Sequence, residues 1–367
     1  MFEDSQAADR ERLSLRAQLR GMQRWISIAV VSSVVAAGSI LVGSSVLSPS
    51  TSGPNDPIIF LTEDMQGKTI AGPLNWVASA KSGWPAVPST AYPCLTANDA
   101  TGTQTLGVGV LNGCPSGPLN AVGSGALRLT PASNSYSSYL LYNNPQNTKD
   151  GIDVNFQQAQ YGGNDADGIS FFIKNGANTN TTPGAAGAGL GYAKVSGYGD
   201  GIPGGLIGVG LDRYGNFSDP GFVGSGPGFR PNAVVVRGPD TSAAKDGSAG
   251  FTYLTGVTLS GGNTFSAGTN SRAGRTRYVR VRVDPAYFAS PKVYVWVSAS
   301  PVPTARDATT LATATLTTAA PAEYLASTTF KFGFAASTGG QNNIHEIWGL
   351  TVASAEPPLY TCLLYTS

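Results

Sequence analysis

Ten short runs rich in β-branched and aromatic residues recur along this chain: "GALRLT", "YLLY", "GIDVNFQQAQY", "GISFFI", "GLIGVGLDRY", "NAVVVRG", "YVRVRVD", "KVYVWV", "FKFGFAA" and "HEIWGLTV". Clusters of Gly, Pro, Asn and Asp separate them, and such clusters make turns. Runs of this length with that punctuation read as strands, and they leave no room for long helices. In "YVRVRVD", strict alternation puts Val279, Val281 and Val283 on one face and Arg280 and Arg282 on the other. That strand is expected to turn its arginine face to water. "KVYVWV" is apolar on both faces and is expected inside. About a dozen such strands over roughly 300 residues predict one all-β domain, a two-sheet antiparallel sandwich.

Charged residues make up 12% of the chain and the net charge is +1, against about 25% charged in an average domain. A nucleic-acid surface needs clustered basic residues, and none is seen. No repeat at solenoid or propeller period occurs. Residues 25–47, "WISIAVVSSVVAAGSILVGSSVL", carry no charge, and about 20 apolar residues suffice to span a bilayer. Arg10, Arg12, Arg16, Arg20 and Arg24 precede this stretch, and no basic residue follows it before Lys68. The asymmetry predicts a cytoplasmic leader at 1–24 and export of everything beyond residue 47. The stretch is either a transmembrane signal anchor or a cleaved signal peptide. A linker, "SPSTSGPND" at 48–56, then leads into the folded region.

Cys94 and Cys114 bracket a Gly/Thr-rich loop, and in an oxidising compartment they are expected to form a disulfide. The third cysteine, Cys362, belongs to the terminal "CLLYTS". That hexapeptide back-translates to a transposon-end adaptor used in sequencing libraries. Residues 356–367 are therefore expected to be a truncated tail with foreign residues at 362–367; a genuine short apolar tail is the alternative.

Two segments carry candidate chemistry. "GGNDADGISFFI" sets Asp165 and Asp167 directly before an apolar strand, where an uncompensated carboxylate is costly. "GGLIGVGLDRYGNFSDPGF" places Asp212, Tyr214, Asn216 and Asp219 at offsets 0, 2, 4 and 7 in a loop after a strand. Two carboxylates, an amide oxygen and a backbone carbonyl are the hard donors calcium prefers. Asp and Asn in a Gly-rich turn also serve simply as turn formers. A cation held by this loop and shared with Asp167 would compensate the first segment as well.

"ADGISFFI", "GAGLGYA", "GVGLDRYGNFSD" and "FGFAASTGGQNNIHEIWGLTV" occur in the order found in L-type lectins, the legume-lectin-like sandwiches. The resemblance covers about residues 57–355 and is greatest to bacterial secreted members. It implies a concanavalin A-like jelly-roll sandwich. By the same resemblance Asp167 contacts sugar hydroxyls, joined by Gly189 in the next loop. It further implies calcium held by Asp212, Tyr214 through its carbonyl, Asn216 and Asp219, with Asn216 also reaching the sugar. Two departures stand out. The glutamate that legume members carry two residues before the first loop aspartate is Gly210 here. Their distal histidine ligand is missing too, and Asn232 in "FRPNAVVV" is the nearest candidate. Since those two residues hold the transition metal, calcium alone is expected.

Glycoside hydrolases on this sandwich resemble E-x-D-x-E, with two carboxylates on one strand face. "GVGLDRY" supplies one, so catalysis is not expected. The single histidine, His345, has no second histidine at zinc-motif spacing and reads as a structural residue. Trp296 and Trp348 read as core aromatics, and Tyr192, Phe217 and Tyr198 as candidates for stacking on a sugar. "GAGLG" lacks the βαβ context of a nucleotide site. The expected function is calcium-dependent glycan recognition by an exported, surface-displayed domain. A structural adhesin or spacer that keeps the sandwich without sugar affinity is the alternative.

Overall fold

The computed structural model describes residues 57–70, 75–82, 87–88, 92–100, 111–115, 119–304 and 308–356. The basic leader, the apolar stretch 25–47, the linker 48–56 and the tail from residue 357 lie outside the described residues. Among those described, no helix is long and apolar enough to cross a membrane.

Sixteen strands form among the described residues, more than the dozen expected, because several are only two to five residues long. In chain order they are β1 (Ile59–Glu63), β2 (Trp76–Ser82), β3 (Val87–Pro88), β4 (Cys94–Leu95), β5 (Leu127–Thr130), β6 (Tyr136–Asn147), β7 (Ile152–Tyr161) and β8 (Gly168–Asn175). There follow β9 (Gly205–Asp212), β10 (Ala233–Arg237), β11 (Tyr253–Thr258), β12 (Arg277–Val283), β13 (Lys292–Ser298), β14 (Leu316–Ala319), β15 (Thr329–Ser337) and β16 (Ile344–Ala353). They make two eight-stranded antiparallel sheets packed as a sandwich. One sheet runs β14-β13-β12-β7-β16-β5-β4, with β1 also paired to β16. The other runs β11-β10-β9-β8-β15-β6-β2-β3.

Alternation decides which side chains enter the core. Val154 and Phe156 of β7 and Val279 and Val281 of β12 meet Phe171, Ile173, Val209 and Phe334 of the second sheet, all buried. Phe156 and Phe334 touch edge to face across the gap, 4.9 Å between centroids. Toward one end this interior becomes polar. Gln160 stands beside His345 and His345 beside Thr130; Gln160 Nε2 crosses to Leu211 O (3.0 Å), and His345 Nδ1 bonds Thr130 Oγ1 (2.6 Å). His345 is wholly buried, and burial lowers its pKa to about 3. It is a neutral structural residue, in keeping with its sequence.

The second sheet is covered on its outer face as well. Phe172, Leu190, Tyr192, Phe217, Val235 and Phe251 form a second apolar cluster there. This is why "GISFFI" and "AVVV" read as continuous apolar runs: a strand buried on both faces has no reason to alternate.

The first sheet departs from expectation. Arg280 and Arg282 do not face water; they are 0% and 2% exposed. Arg280 makes a bidentate pair with Asp153 (2.9 and 2.7 Å) and donates to Pro303 O (2.5 Å). Its guanidinium lies 4.7 Å from the Trp296 ring centre. Arg282 pairs with Asp284 and Glu356. The chain after β13 folds back over this face, and the charges survive burial because each is paired and hydrogen-bonded. "KVYVWV" is interior as expected, with Val293, Val295, Val297 and Trp296 buried. Trp348 is also buried. Cys94 and Cys114 are disulfide-bonded with Cα atoms 5.0 Å apart, inside the span a disulfide accepts.

Candidate functional site

The two aspartates before β8 meet different environments. Asp165 is partly exposed and pairs with Arg213 (2.7 Å) and, more loosely, Arg275 (3.5 Å). Asp167 follows a cis peptide after Ala166 and is 3% exposed. No arginine or lysine among the described residues forms an ion pair with it. Its Oδ1 accepts from Asn216 Nδ2 (3.2 Å). Its Oδ2 is buried without a hydrogen-bond partner, although the Gly339 backbone, whose amide donates to Gln341 O (3.0 Å), lies beside it. Burial therefore raises the Asp167 pKa to about 7, opposed by the Asn216 side chain and the Gly339 backbone.

The backbone of Asp167 fastens the second loop. Its carbonyl accepts from Arg213 N (2.9 Å) and Tyr214 N (3.0 Å), while its amide donates to Ser337 O (3.2 Å). The 163–167 and 213–219 loops thus converge at one end of the second sheet. Asp212 closes the latter loop from inside: Oδ1 accepts from Gly215 N (2.7 Å) and Oδ2 from Phe217 N (2.8 Å). It is fully buried, and that burial raises its pKa to about 8 despite both amides. Asp167 adds to the rise and Arg237 opposes it. Asp219 lies outside this knot and caps the short helix Pro220–Val223 by accepting from Gly221 N (2.9 Å). Asn216 Oδ1, like Asp167 Oδ2, is buried with no partner.

The strand that carries Asp212 shows why its neighbours are not acidic. Gly208, Gly210 and Asp212 share the outer face of β9, while Ile207, Val209 and Leu211 enter the core. A Cβ on Gly210 would fall 2.3 Å from Phe217 Cδ1, and one on Gly208 would fall 2.2 Å from Tyr192 Cδ1. Aromatic rings pack against the bare backbone at both places. The space that a side chain at position 210 would need is filled by the Phe217 ring.

Above Asp167 and Asn216 opens a cavity of about 520 Å³. Tyr214, Tyr198 and Phe222 supply its aromatic walls, and Gly187 and Gly339–Gln341 its remaining sides. Tyr198 and Phe222 are 53% and 41% exposed. Tyr214 is braced edge to face by Phe229, 5.3 Å between centroids. The wall around Gly187 is seated on the sheet by two serines: Ser137 Oγ donates to Gly184 O (2.6 Å) and Ser337 Oγ to Gly187 O (2.7 Å).

Of the residues named from sequence, Asp167, Asn216 and Tyr214 line this cavity together. Asp212 lies beneath them and Asp219 to the side. Gly189 is buried against Ala185 and Val195, and it is Gly187, two residues earlier, that reaches the cavity. Tyr192 and Phe217 are wholly buried and cannot stack on a ligand; Tyr198 can. Asn232 is occupied elsewhere, accepting from Ser266 N (3.1 Å). Phe222 and Arg237 were not legible in the sequence. Arg237, 0% exposed, donates to the carbonyls of Phe217, Val223, Ser225 and Phe251 and stands 5.2 Å from the Phe217 ring centre. One arginine at the end of "AVVVR" gave no signal that it would organise three loops.

Among the described residues no group of three or more His, Cys, Asp or Glu could hold a metal ion. The donors that are present are oxygens: the free Asp167 Oδ2, the free Asn216 Oδ1, and the Asp212 carboxylate, whose oxygens keep further lone pairs beyond the amides they accept. Buried oxygens without partners fit a hard cation and not a thiolate- or imidazole-seeking one.

No protein-family model matches the chain, and no curated protein matches it. Among solved structures it is similar to lectin I-B4 from Griffonia simplicifolia in its metal-free form, with a TM-score of 0.46 and 14% identity over 80% of this chain and 99% of that one. Peanut lectin with a bound 9mer peptide gives 0.40 and 19% over 77% and 98%. The exoplasmic/lumenal domain of VIP36, in its Ca2+/Man3GlcNAc-bound form, gives 0.37 and 17% over 62% and 77%.

Proposed function

We propose that this domain binds glycans, without catalysis, at the cavity above Asp167 and Asn216. The observation that carries the reading is the buried Asp167–Asn216 pair beneath an open cavity walled by Tyr198, Tyr214 and Phe222. A sugar presents hydroxyls on its edge and C–H groups on its faces. The carboxylate and the amide suit the hydroxyls, and exposed aromatic rings suit the C–H faces. The motifs resembling L-type lectins point the same way.

Calcium dependence belongs to this proposal. Asp167, Asn216 and Asp212 would hold the ion, with Tyr214 and Asp219 completing the set. The cation would keep both raised carboxyls ionised and the two loops in register. Export and display at a bacterial cell surface are proposed from the arginine-rich leader and the apolar stretch 25–47.

A second reading has a specific observation in its favour. Both Asp212 oxygens already accept turn amides and Asp219 caps a helix, as residues do when they are turn formers in a structural adhesin or spacer. A hydrolase finds less support, because rings cover Gly208 and Gly210 where a second strand carboxylate would stand. A glycan array probed with calcium, with chelator, and with Asp167→Ala separates these readings. Calcium-dependent binding lost in the variant supports the lectin; absence of binding to any glycan leaves the structural module.

A further inference from the structure

The sugar cavity does not end at Tyr198. A smaller, more enclosed cavity of about 70 Å³ adjoins it and shares Ser135, Ala186 and Tyr198 as walls. At its far side stand Lys81 and Asp200. Lys81 is the only cation lining either space among the described residues. It is half-buried, and its ammonium makes one long hydrogen bond, to Pro183 O (3.3 Å). No carboxylate forms an ion pair with it among the described residues.

The register of the second sheet measures the gap. Lys81 of β2 pairs with Ser137 of β6, Ser137 with Ser337 of β15, and Ser337 with Gly168 of β8, the neighbour of Asp167. Cross-strand partners share a face, so Lys81 and Gly168 stand at two ends of one row, with the Asp167 backbone one residue beyond Gly168. Three strand spacings separate them, roughly 14 Å between backbones. That backbone gap is wider than one pyranose, and two or three linked sugars span it, passing Tyr198 on the way.

We propose that the site takes an acidic oligosaccharide, with a neutral sugar unit on Asp167 and Asn216 and the carboxylate of a following uronic-acid-type unit on Lys81. This rests on the glycan-binding reading and adds the substrate class to it. The ammonium has unused donors, and a half-buried cation attracts an anion more strongly than a solvated one. Asp200 is exposed to solvent. It supports the positive charge of Lys81 against burial, which lowers the lysine pKa while Asp200 raises it.

The test uses the whole chain in calcium and matched oligosaccharides that differ only in one unit's C6 group, hydroxymethyl or carboxylate. The carboxylate member of a pair should bind about tenfold tighter, and Lys81→Met should remove that preference while leaving the neutral member within about twofold. Lys81→Arg should retain it. Asp167→Ala should abolish binding of both members, and a free monosaccharide uronate should show no dependence on Lys81. Neutral members binding as well as acidic ones, or a preference that survives Lys81→Met, overturns the acidic subsite and leaves glycan binding standing. Binding of no glycan at all overturns both.

Discussion

The ring of Phe217 rests on the bare backbone of Gly210, so close that a single methyl group there would lie 2.3 Å from Cδ1. Across a tight loop, an aromatic ring thereby occupies the space a side chain at position 210 would need. Gly210→Ala should cost about 1–3 kcal/mol, as overpacking does. Phe217→Ala should cost about 3–5 kcal/mol through the void it leaves. Denaturant unfolding measures both. A Gly210→Ala protein as stable as the wild type would mean that the ring moves freely.

The proposed calcium site predicts a thermal signature. At free calcium about 100 times the dissociation constant, the folded state should gain about 2.7 kcal/mol. Asp212→Asn is the informative variant, because it keeps an acceptor for one turn amide and removes the charge. It should unfold at a midpoint indifferent to calcium, whereas Asp219→Asn should keep part of the increment. A wild-type midpoint that does not move with calcium in the millimolar range favours the turn-former reading.

Without divalent cations, stability should fall as pH rises. Burial lifts the folded-state pKa from the ordinary 3.8 to about 7 for Asp167 and about 8 for Asp212. Between these limits the folded chain keeps protons that the unfolded chain has released, so the slope of stability against pH is negative. The contribution is full below the unfolded value and lost as pH passes about 7 to 8. In chelator, the melting midpoint should drop by several degrees from pH 5 to pH 8.5, and in Asp167→Asn the drop should shrink. Saturating calcium should flatten it, since the ion favours the charged forms. Chelated protein growing more stable over this window would contradict the burial of these carboxyls as charges without a partner.

The disulfide closes a loop between Cys94 and Cys114, 20 residues apart in sequence. The chain-entropy model assigns such a closure about 3 kcal/mol. Cys94→Ser with Cys114→Ser should lower stability by that order, loosening the packing of Tyr92 and Tyr136 around the bond. Mass spectrometry finding both thiols free in protein folded under oxidising conditions would remove the basis for the expectation.

Local chemistry was enough to determine part of this protein. Strand-length apolar runs and Gly/Asn/Asp punctuation determined an all-β chain, because periodicity and turn preference act over a few residues. Offsets 0, 2, 4 and 7 from Asp212 marked a loop of oxygen donors for the same reason. Only the tertiary structure decided how those oxygens are spent: Asp212 on two turn amides, Asp219 on a helix cap, and Asp167 and Asn216 toward a cavity. The partners of Asp212 and Asp219 lie within five residues, but the meeting of Asp167 with Asn216 joins loops 49 residues apart, beyond the reach of any local pattern. The same holds for Arg280 and Arg282, whose alternation promised water and whose burial was set by Asp153, Asp284 and Glu356. Alternation says which side chains share a face; what covers that face is a long-range matter. Tyr192, Phe217 and Tyr198 carry similar rings, yet two are sealed over glycines and one stands at the cavity mouth. A ring's role follows from whether the backbone opposite it is bare, and the fold alone sets the two against each other.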